Sequence, residues 1–333
     1  MKIKKILSII GTRPQYVKIK PVYECFKKNN INHRILDTSQ HYSDSVSKNI
    51  IDDLNLKIDD YLYSDRSSEI GFIVNCINDI SKKIDQVKPD CILVFGDTNS
   101  TFCASLVAHK KGIKLVHVES GIRSKTKIPE EVNRNFVDFV SDVHFCSSKQ
   151  HMENVFNPIL TGDLEYELLH SYDHQVYYGD YALLTLHRQE NLVVDRFLSI
   201  FNFLKTIKRE IIFPVHHRTR NFIEDNCLTL PENIKVCEPF EYSKMVNTLS
   251  SCRYVLTDSG GVHKCSPFFG KKSLVLRSKG LEWDETYSSG FSKRFIEGES
   301  EINWLENSKI NRDKRFYLPF ENLMPSEIIL KNL

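Results

Sequence analysis

Residues 91–100 read CILVFGDTNS, a short apolar run that ends in a polar turn. An amphipathic stretch near 99–111 follows, and KLVHVES at 114–120 begins the same pattern again. Apolar runs of this length predict strands that are buried on both faces, and the amphipathic stretches predict helices that cover them. This alternation is typical of an α/β fold built on parallel sheets.

The alternation extends in both directions from this stretch and restarts after about residue 172. Strands are predicted at 6–10, 33–38, 91–97, 114–120, 142–147, 181–187, 211–217, 235–240, 253–261 and 273–278. Helices are predicted near 14–28, 43–54, 69–87, 99–111, 130–141, 148–156, 193–209, 241–251 and 262–270. Because 333 residues are many for one core, we predict two Rossmann-like domains, 1–172 and 173–333, with a C-terminal helix able to pack back on the first.

The composition, 41% hydrophobic and 26% charged, is that of an ordinary globular protein. A formal net charge of +2 gives no broad electrostatic reason to expect nucleic acid or a membrane as partner. No apolar stretch reaches the roughly 18 residues of a membrane span, and ILSII at 6–10 is interpreted as a strand rather than as part of a signal peptide. Nine cysteines without metal-ligand spacing predict free, mostly buried thiols, and we expect a cytoplasmic protein.

Ligands of parallel α/β sheets bind beyond the carboxyl ends of the strands, so polar residues at those ends are candidates for chemistry. Arg13 follows the first strand in a Gly-Thr-Arg-Pro turn, and Lys18 comes one helical turn later. Asp97, Glu119 and Glu130 place three carboxylates near one presumed cleft, where they raise one another's pKa and suit proton transfer. The plainer alternatives are a solvated Arg13 and an ordinary helix start at Pro-Glu-Glu.

The second half of the chain offers cations and a candidate phosphate site. His187 follows a strand and is a candidate acid or base, and His216 and Arg218 follow another strand and add donor capacity. Two glycines after a strand bring backbone N–H groups to a helix start, which suits phosphate; these residues are Ser259, Gly260 and Gly261. No histidine spacing indicates a metal site, and we predict no metal and no cofactor.

Seven segments, taken in order, carry a resemblance to a known family. They read GTRPQYVKIKPV, VFGDTNST, HVESGIRS, PEEVNR, TLHRQEN, FPVHHRTR and TDSGGVHK. Together they resemble the motifs of the non-hydrolysing UDP-N-acetylglucosamine 2-epimerases, over about residues 5–290. The residues in these segments are similar to those of family branches that act on modified sugars, such as UDP-2,3-diacetamido-glucuronate and UDP-6-deoxy-N-acetyl-L-hexosamine.

The resemblance implies a GT-B-like fold, a homodimer and a UDP-sugar substrate, with no cofactor. In the family, the C2 proton is removed, UDP leaves to give a 2-acetamidoglycal, and both then add back with inversion. Matching the motifs residue by residue implies that Arg13 and Lys18 lie near the diphosphate. It also implies that Asp97, Glu119 and Glu130 are the catalytic acids and that His187 is the catalytic histidine. Ser259, Gly260 and Gly261 match the phosphate-binding turn.

One motif departs from the family. His263-Lys264-Cys265 stands where the family has Gln-Glu-Glu or Gln-Lys-Glu, so Cys265 aligns with the glutamate that holds the ribose hydroxyls. A thiol cannot replace a carboxylate that accepts two hydroxyl donors. Either a nearby acid such as Glu282 compensates, or nucleotide binding is altered.

Three alternative functions remain open from the sequence. A hydrolysing 2-epimerase would release UDP and free sugar, although the turn with Arg13 argues against that branch. A GT-B glycosyltransferase would share the fold without the proton chemistry. A non-catalytic UDP-sugar-binding homologue is favoured only by Cys265.

Overall fold

The computed structural model describes residues 4–40, 44–63, 68–124, 127–171, 179–277, 283–298, 301–307, 320 and 322–333. The chain divides into two compact units. The first unit comprises Met1–Ser171 and Tyr317–Leu333, and the second comprises Tyr172–Phe316.

The first unit is a parallel sheet with helices between its strands. Its strands are β1 (Lys5–Ile10), β2 (Asn32–Asp37), β3 (Asp60–Tyr61), β4 (Cys91–Phe95), β5 (Lys114–Val118), β6 (Val143–Cys146) and β7 (Pro158–Leu160). Its helices are α1 (Arg13–Lys28), α2 (Asp44–Asp53), α3 (Glu69–Val87), α4 (Asn99–Lys111), α5 (Pro129–Val140), α6 (Lys149–Met152) and α7 (Leu164–Ser171). The strand order is β3-β2-β1-β4-β5-β6-β7 within the described ranges.

The second unit repeats this plan. Its strands are β8 (Tyr181–Thr185), β9 (Glu210–Pro214), β10 (Ile234–Cys237), β11 (Tyr254–Thr257), β12 (Ser273–Val275) and β13 (Ser292–Arg294). Its helices are α8 (Val194–Leu204), α9 (His217–Asp225), α10 (Tyr242–Ser251), α11 (Gly260–Cys265), α12 (Asp284–Ser288) and α13 (Ile302–Glu306). The strands, parallel where they pair, run in the order β10-β9-β8-β11-β12-β13.

Apolar side chains from both faces of each sheet form the cores. In the first unit, Leu7 and Ile9 of β1 and Ile92 and Val94 of β4 are fully buried, together with Cys76 of α3. Burial on both faces explains why these strands are continuous apolar runs rather than alternating ones.

Each sheet has a switch point, where the chain turns from building one side of the sheet to building the other. In the first unit this point lies between β1 and β4, and in the second it lies between β8 and β11. The crevice beyond such a point is where open α/β sheets bind their ligands. The ends of these four strands are therefore the places to look for a site.

The last helix of the chain, α14 (Pro325–Lys331), belongs to the first unit and packs on α1 and α7. The Ser326 hydroxyl donates to Glu167 Oε1 at 2.5 Å, and the Ser326 N–H donates to Oε2 at 2.8 Å. Lys114 Nζ donates to the carbonyl of Leu333 at 2.9 Å. These contacts fasten the C-terminal segment to the first unit.

The predicted α/β fold with parallel sheets is confirmed, but the prediction for 211–217 was wrong at its end. The strand stops at Pro214, and His217 begins α9. The strand ends early because His216 caps helix α9: its Nδ1 accepts a hydrogen bond from the Arg218 N–H at 3.3 Å. The short strands β3, β7 and β13 were missed because two or three residues carry no periodic pattern.

The cysteines are free, as predicted, and they are buried except for the exposed Cys227 and the half-buried Cys237. Across the described ranges, no helix has both the length and the apolar character that crossing a membrane requires.

Candidate active site

The turn after β1 is fastened to the end of β4 by one buried side chain, Gln15. Its Oε1 accepts the N–H groups of Gly11 and Thr12 at 2.8 and 3.1 Å. Its Nε2 donates to the Phe95 carbonyl at 2.6 Å. The exposed Arg13, at the first position of α1, is thereby held at the switch point. The sequence analysis gave Gln15 no role, although a Thr-x-x-Gln capping box before an apolar helix was visible.

Two ion pairs bring residues from four elements together in the first unit. Lys18 of α1 pairs with Glu119, which follows β5, and Arg134 of α5 pairs with Asp97, which follows β4. The side chains of Lys18 and Glu119 are only 13% and 10% exposed. Burial raises the pKa of Asp97 and the Glu119 carboxylate raises it further, while Arg134 and Lys18 oppose the rise. The pairs place two carboxylates and two cations at the switch point.

Glu130 and Glu131 at the start of α5 have opposite environments. Glu130 is exposed, and Glu131 is buried. The Glu131 Oε2 accepts the Ser124 N–H at 2.8 Å, the Ser124 hydroxyl at 2.9 Å and Arg134 Nη1 at 3.2 Å. Burial alone would raise the pKa of Glu131, but these donors outweigh it and lower the pKa. Arg134 therefore bridges Asp97 and Glu131, a role that the i, i+3 spacing on the helix could have suggested.

The backbone of Glu119 is strained, and the loop that follows it is braced by Asp138. Glu119 has φ of 64°, a left-handed conformation that costs a non-glycine residue energy. Asp138 accepts the Ser120 hydroxyl at 2.5 Å, the Gly121 N–H at 3.1 Å and Arg123 Nη1 at 2.6 Å. The buried carboxylate thus holds the loop that presents Glu119.

His117 connects this brace to the turn that carries Asp97. Its Nδ1 lies 2.7 Å from Asp138 Oδ1, and its Nε2 lies 2.8 Å from the carbonyl oxygen of Gly96. Burial alone would raise the pKa of Asp138, but His117, Ser120 and Arg123 hold it well below its usual range. Asp138 is therefore a carboxylate in the folded protein, and its negative charge helps to hold this loop.

In the second unit, the ends of β8 and β11 join His187 to Asp258. His187 Nδ1 lies 3.0 Å from Asp258 Oδ1, and Asp258 Oδ2 accepts the N–H groups of His187 and Arg188 at 2.9 and 2.8 Å. Burial alone would raise the pKa of Asp258, but these partners lower it. The sequence analysis named His187 and gave Asp258 no role, because strand order is not visible in the sequence.

His216 and Arg218 lie at the start of α9, on the exposed surface of the second unit. The ring centroids of His216 and His187 are 6.1 Å apart, so these two predicted residues are neighbours. Arg218 contributes its N–H to the cap described above, and its side chain is exposed.

The Ser259-Gly260-Gly261 turn begins α11. Ser259 caps the helix, with its hydroxyl accepting the Val262 N–H at 3.5 Å. A Cβ atom at Gly261 would meet nothing within 4 Å, so packing within the chain does not account for this glycine. The turn leaves space for a ligand to approach the backbone.

The divergent residues His263, Lys264 and Cys265 are all buried. His263 Nε2 lies 2.7 Å from both Ser292 Oγ and Thr286 Oγ1. Lys264 Nζ lies 5.2 Å from the centre of the Trp283 ring. His263 and Lys264 thus fasten the 283–292 segment onto the second unit, and Glu282 lies outside the described residues.

At the strand ends, the first unit carries the cationic side chains of Arg13, Lys18 and Arg134, and the second unit carries that of Arg218 at the start of α9. In the part of the chain that the structure describes, no group of three His, Cys, Asp or Glu side chains could hold a metal ion. An anionic ligand at the strand ends of the first unit would meet arginine and lysine side chains, and one at the strand ends of the second unit would meet arginine and backbone N–H donors.

The two parallel α/β units, with acids and cations at their switch points, define an enzyme of GT-B-like fold. The family model for UDP-N-acetylglucosamine 2-epimerases matches residues 23–308, and the chain belongs to this family of isomerases. The resemblance inferred from the seven motifs is therefore confirmed.

Similar proteins extend over most of the chain. A UDP-N-acetylglucosamine 2-epimerase homolog of Methanococcus maripaludis is 33% identical over 343 residues, covering 94% of each chain. The UDP-2,3-diacetamido-2,3-dideoxy-D-glucuronate 2-epimerase of Pseudomonas aeruginosa is 32% identical over 315 residues, covering 86% of each. The solved structure of Methanocaldococcus jannaschii UDP-GlcNAc 2-epimerase in complex with UDP-GlcNAc and UDP is 28% identical, covers 98% of this chain and 99% of that one, and has a TM-score of 0.80.

Proposed function

We propose that this protein inverts C2 of a UDP-N-acetylamino sugar by eliminating UDP and adding it back. The observation that carries the proposal is the presence of two partly buried ion pairs at the first switch point, Lys18 with Glu119 and Arg134 with Asp97. Carboxylates in this setting can exchange a proton with carbon, and the cations keep the site's charge balanced.

In the proposed reaction a carboxylate removes the C2 proton, and the electron pair of the C2–H bond forms a C1–C2 double bond. The C1–O bond breaks at the same time, and UDP leaves with its electron pair. UDP then adds to C1 of the glycal, and a proton is delivered to the opposite face of C2. Atoms and charge balance without a cofactor.

Each role is proposed from the family resemblance and, where the structure describes the residue, from its place at a strand end. Asp97 and Glu119 handle the C2 proton, and Glu130, in the exposed first turn of α5, is the third acid. Arg13, Lys18 and His187 stabilise the departing diphosphate. The second unit supplies further UDP-binding residues: His216, Arg218, Ser259, Gly260, Gly261 and Glu282.

The proposed substrate is UDP-GlcNAc or an analogue modified on the sugar, and the product is its C2 epimer. The Methanocaldococcus relative supports the first, since its solved complex contains UDP-GlcNAc, and the Pseudomonas relative supports the second. We propose a homodimer, as the family resemblance implies, and a role in supplying precursors of surface polysaccharides.

Incubation with UDP-sugars in D2O tests the proposal. We expect deuterium at C2 and formation of the C2 epimer, detected by NMR, because the removed proton exchanges with solvent before it is returned. Free sugar and UDP as stable products would indicate a hydrolysing enzyme, and turnover only with an added acceptor would indicate a transferase. Binding without exchange of any UDP-N-acetylamino sugar would contradict catalysis altogether.

Variants of the two units test the site. Asp97→Asn and His187→Ala should each lower the exchange rate by at least about 100-fold, because each removes a group that acts on a reacting proton or charge. The matched control is Asp79→Asn, which breaks an ion pair of 3.3 Å with Lys82 on α3. Circular dichroism and thermal melting establish that the variants fold, and full activity of either site variant would show that the site is wrong.

A further inference from the structure

We infer that Asp258 is the positioning residue of His187: it orients the imidazole and balances its positive charge while UDP departs. The inference rests on the proposed function, since it assigns a partner to a histidine of that same site. It concerns the end of β11, whose residues the sequence analysis had associated only with phosphate binding.

Strand pairing brings the two residues together. β8 and β11 are adjacent and parallel, with Thr185 opposite Thr257, and the hydroxyls of these two threonines are 2.5 Å apart. The Asp258 N–H continues the ladder by donating to the Thr185 carbonyl at 3.1 Å. His187, two residues beyond β8, and Asp258, one residue beyond β11, therefore leave the sheet side by side.

The carboxylate of Asp258 is fixed by hydrogen bonds to its Oδ2 atom, the oxygen that does not face the imidazole nitrogen. Its Oδ2 accepts three N–H groups, those of His187 and Arg188 and the side-chain amide of Asn191, at 2.9, 2.8 and 3.0 Å. These bonds hold Oδ2 in place and direct Oδ1 toward His187 Nδ1 at 3.0 Å. A carboxylate fixed through Oδ2, with Oδ1 3.0 Å from Nδ1, restricts the orientations open to the histidine ring.

The two side chains differ in their exposure to solvent. Asp258 is 0% exposed, whereas the side chain of His187 is 41% exposed. The carboxylate thus acts from inside the unit, and the ring reaches solvent or a ligand. Because a carboxylate oxygen can only accept, the 3.0 Å approach of Oδ1 favours the tautomer with its hydrogen on Nδ1, which leaves Nε2 to meet the ligand.

Other charged or titratable groups also lie near His187. Arg188 follows it in the chain and donates its Nε–H to the Asp258 carbonyl at 2.9 Å. His216 lies before α9, with its ring centroid 6.1 Å away, and Glu190 lies in the short 3-10 segment Gln189–Asn191. Asp258 Oδ1 lies 3.0 Å from Nδ1 of the ring, and the cations beside it reinforce the need for a fixed negative charge.

The first test compares Asp258→Asn with the unchanged enzyme in the C2 exchange assay. We expect kcat to fall about 100-fold with KM for the UDP-sugar changed less than about threefold, because an amide presents a donor to Nδ1 and favours the wrong tautomer.

The matched control is Glu306→Gln, which changes another carboxylate of the second unit that accepts several hydrogen bonds, from Arg209 and Tyr254. We expect this control to lower stability without the fall in kcat. In a His187→Ala background, Asp258→Asn should cause less than about a twofold further loss, because residues that act as a unit are not additive. Equal fold-losses in both backgrounds would overturn the inference.

A measurement on the unchanged protein does not depend on the variant folding. In protein labelled with ¹⁵N-histidine, with the His187 signals assigned by their absence from His187→Gln, the neutral ring should carry its hydrogen on Nδ1. A hydrogen on Nε2 would overturn the inference even if the enzyme is an epimerase. Conversely, absence of C2 exchange in the unchanged protein would overturn the proposed function and leave the tautomer result standing.

Discussion

At the residue scale, Arg134 shows how one cation serves two acids with different outcomes. Burial raises the pKa of Asp97 despite its ion pair with Arg134, whereas the more buried Glu131 has a lowered pKa. The difference lies in the hydrogen bonds, because Glu131 also accepts both the N–H and the hydroxyl of Ser124. Asp97 instead faces the negative charge of Glu119. Asp97 is thus the acid whose proton is easier to move near neutral pH.

Replacing Arg134 by glutamine should move the titration of Asp97 to higher pH. Arg134 favours the carboxylate form of Asp97, so its removal disfavours that form, and Asp97 takes up a proton at higher pH. We expect the corresponding limb of the kcat/KM profile to rise by about one unit. Arg34→Gln, which breaks a half-exposed pair of 2.7 Å with Asp60, is the control and should leave the profile in place. An unmoved profile in Arg134→Gln would show that the ion pair does not set the protonation of Asp97.

At the scale of elements, the starts of α1, α3 and α4 were predicted to within one residue, whereas α7, α9, α12 and α13 and the loops between strands and helices were not predicted. Thr98, directly before α4, accepts the Thr101 N–H at 3.3 Å. Local capping chemistry is visible in a few consecutive residues. The loop after β5 is held instead by Asp138 of α5, the helix that follows the loop. No local sequence pattern predicts this contact.

Asp138→Asn should destabilise the folded state by about 3 kcal/mol at pH 7, because it removes the charge from a buried carboxylate with several charged and polar donors. The lowered pKa of Asp138 makes its contribution fully present above the unfolded value, about 4, and lost as pH falls below it. Urea unfolding at pH 7 and pH 3.5 should therefore show a large loss in the variant at pH 7 and a smaller difference at pH 3.5.

The control for this prediction is Asp90→Asn. Asp90 also accepts backbone N–H groups, those of Lys4 and Lys5 at 2.9 Å, and its pKa is lowered, but it lies in solvent. We expect a much smaller change in the free energy of unfolding. A similar loss of unfolding free energy in both variants would mean that the burial of Asp138 does not increase its contribution to stability.

At the scale of the whole molecule, the chain forms two units, and its last helix returns to the first. Ile329 of α14 and Leu305 of α13 are both fully buried and are only 24 positions apart, yet they belong to different units. Sequence proximity therefore does not predict which core a C-terminal residue stabilises.

Ile329→Ala and Leu305→Ala form a matched pair of large-to-small substitutions. Each should cost about 3 kcal/mol, but Ile329→Ala should destabilise the first unit and Leu305→Ala the second. Hydrogen exchange measured by mass spectrometry should show faster exchange in peptides of α1 and α7 in the first variant and in peptides of β8 and β9 in the second. Faster exchange in both units in both variants would indicate that the chain unfolds as a single cooperative body.

The sequence by itself determined the alternation of strands and helices and the polar residues at the strand ends, because apolar periodicity and capping act over a few neighbouring residues. It also determined the family, through seven motifs in order. Only the tertiary structure decided which strand ends are neighbours, since the crossovers that set the order of β1 and β4, or of β8 and β11, depend on packing between distant segments. The contacts of Gln15 with Phe95, of Arg134 with Asp97, of Asp138 with His117 and of Asp258 with His187 became visible only then, because each joins residues that are distant in sequence or on different elements.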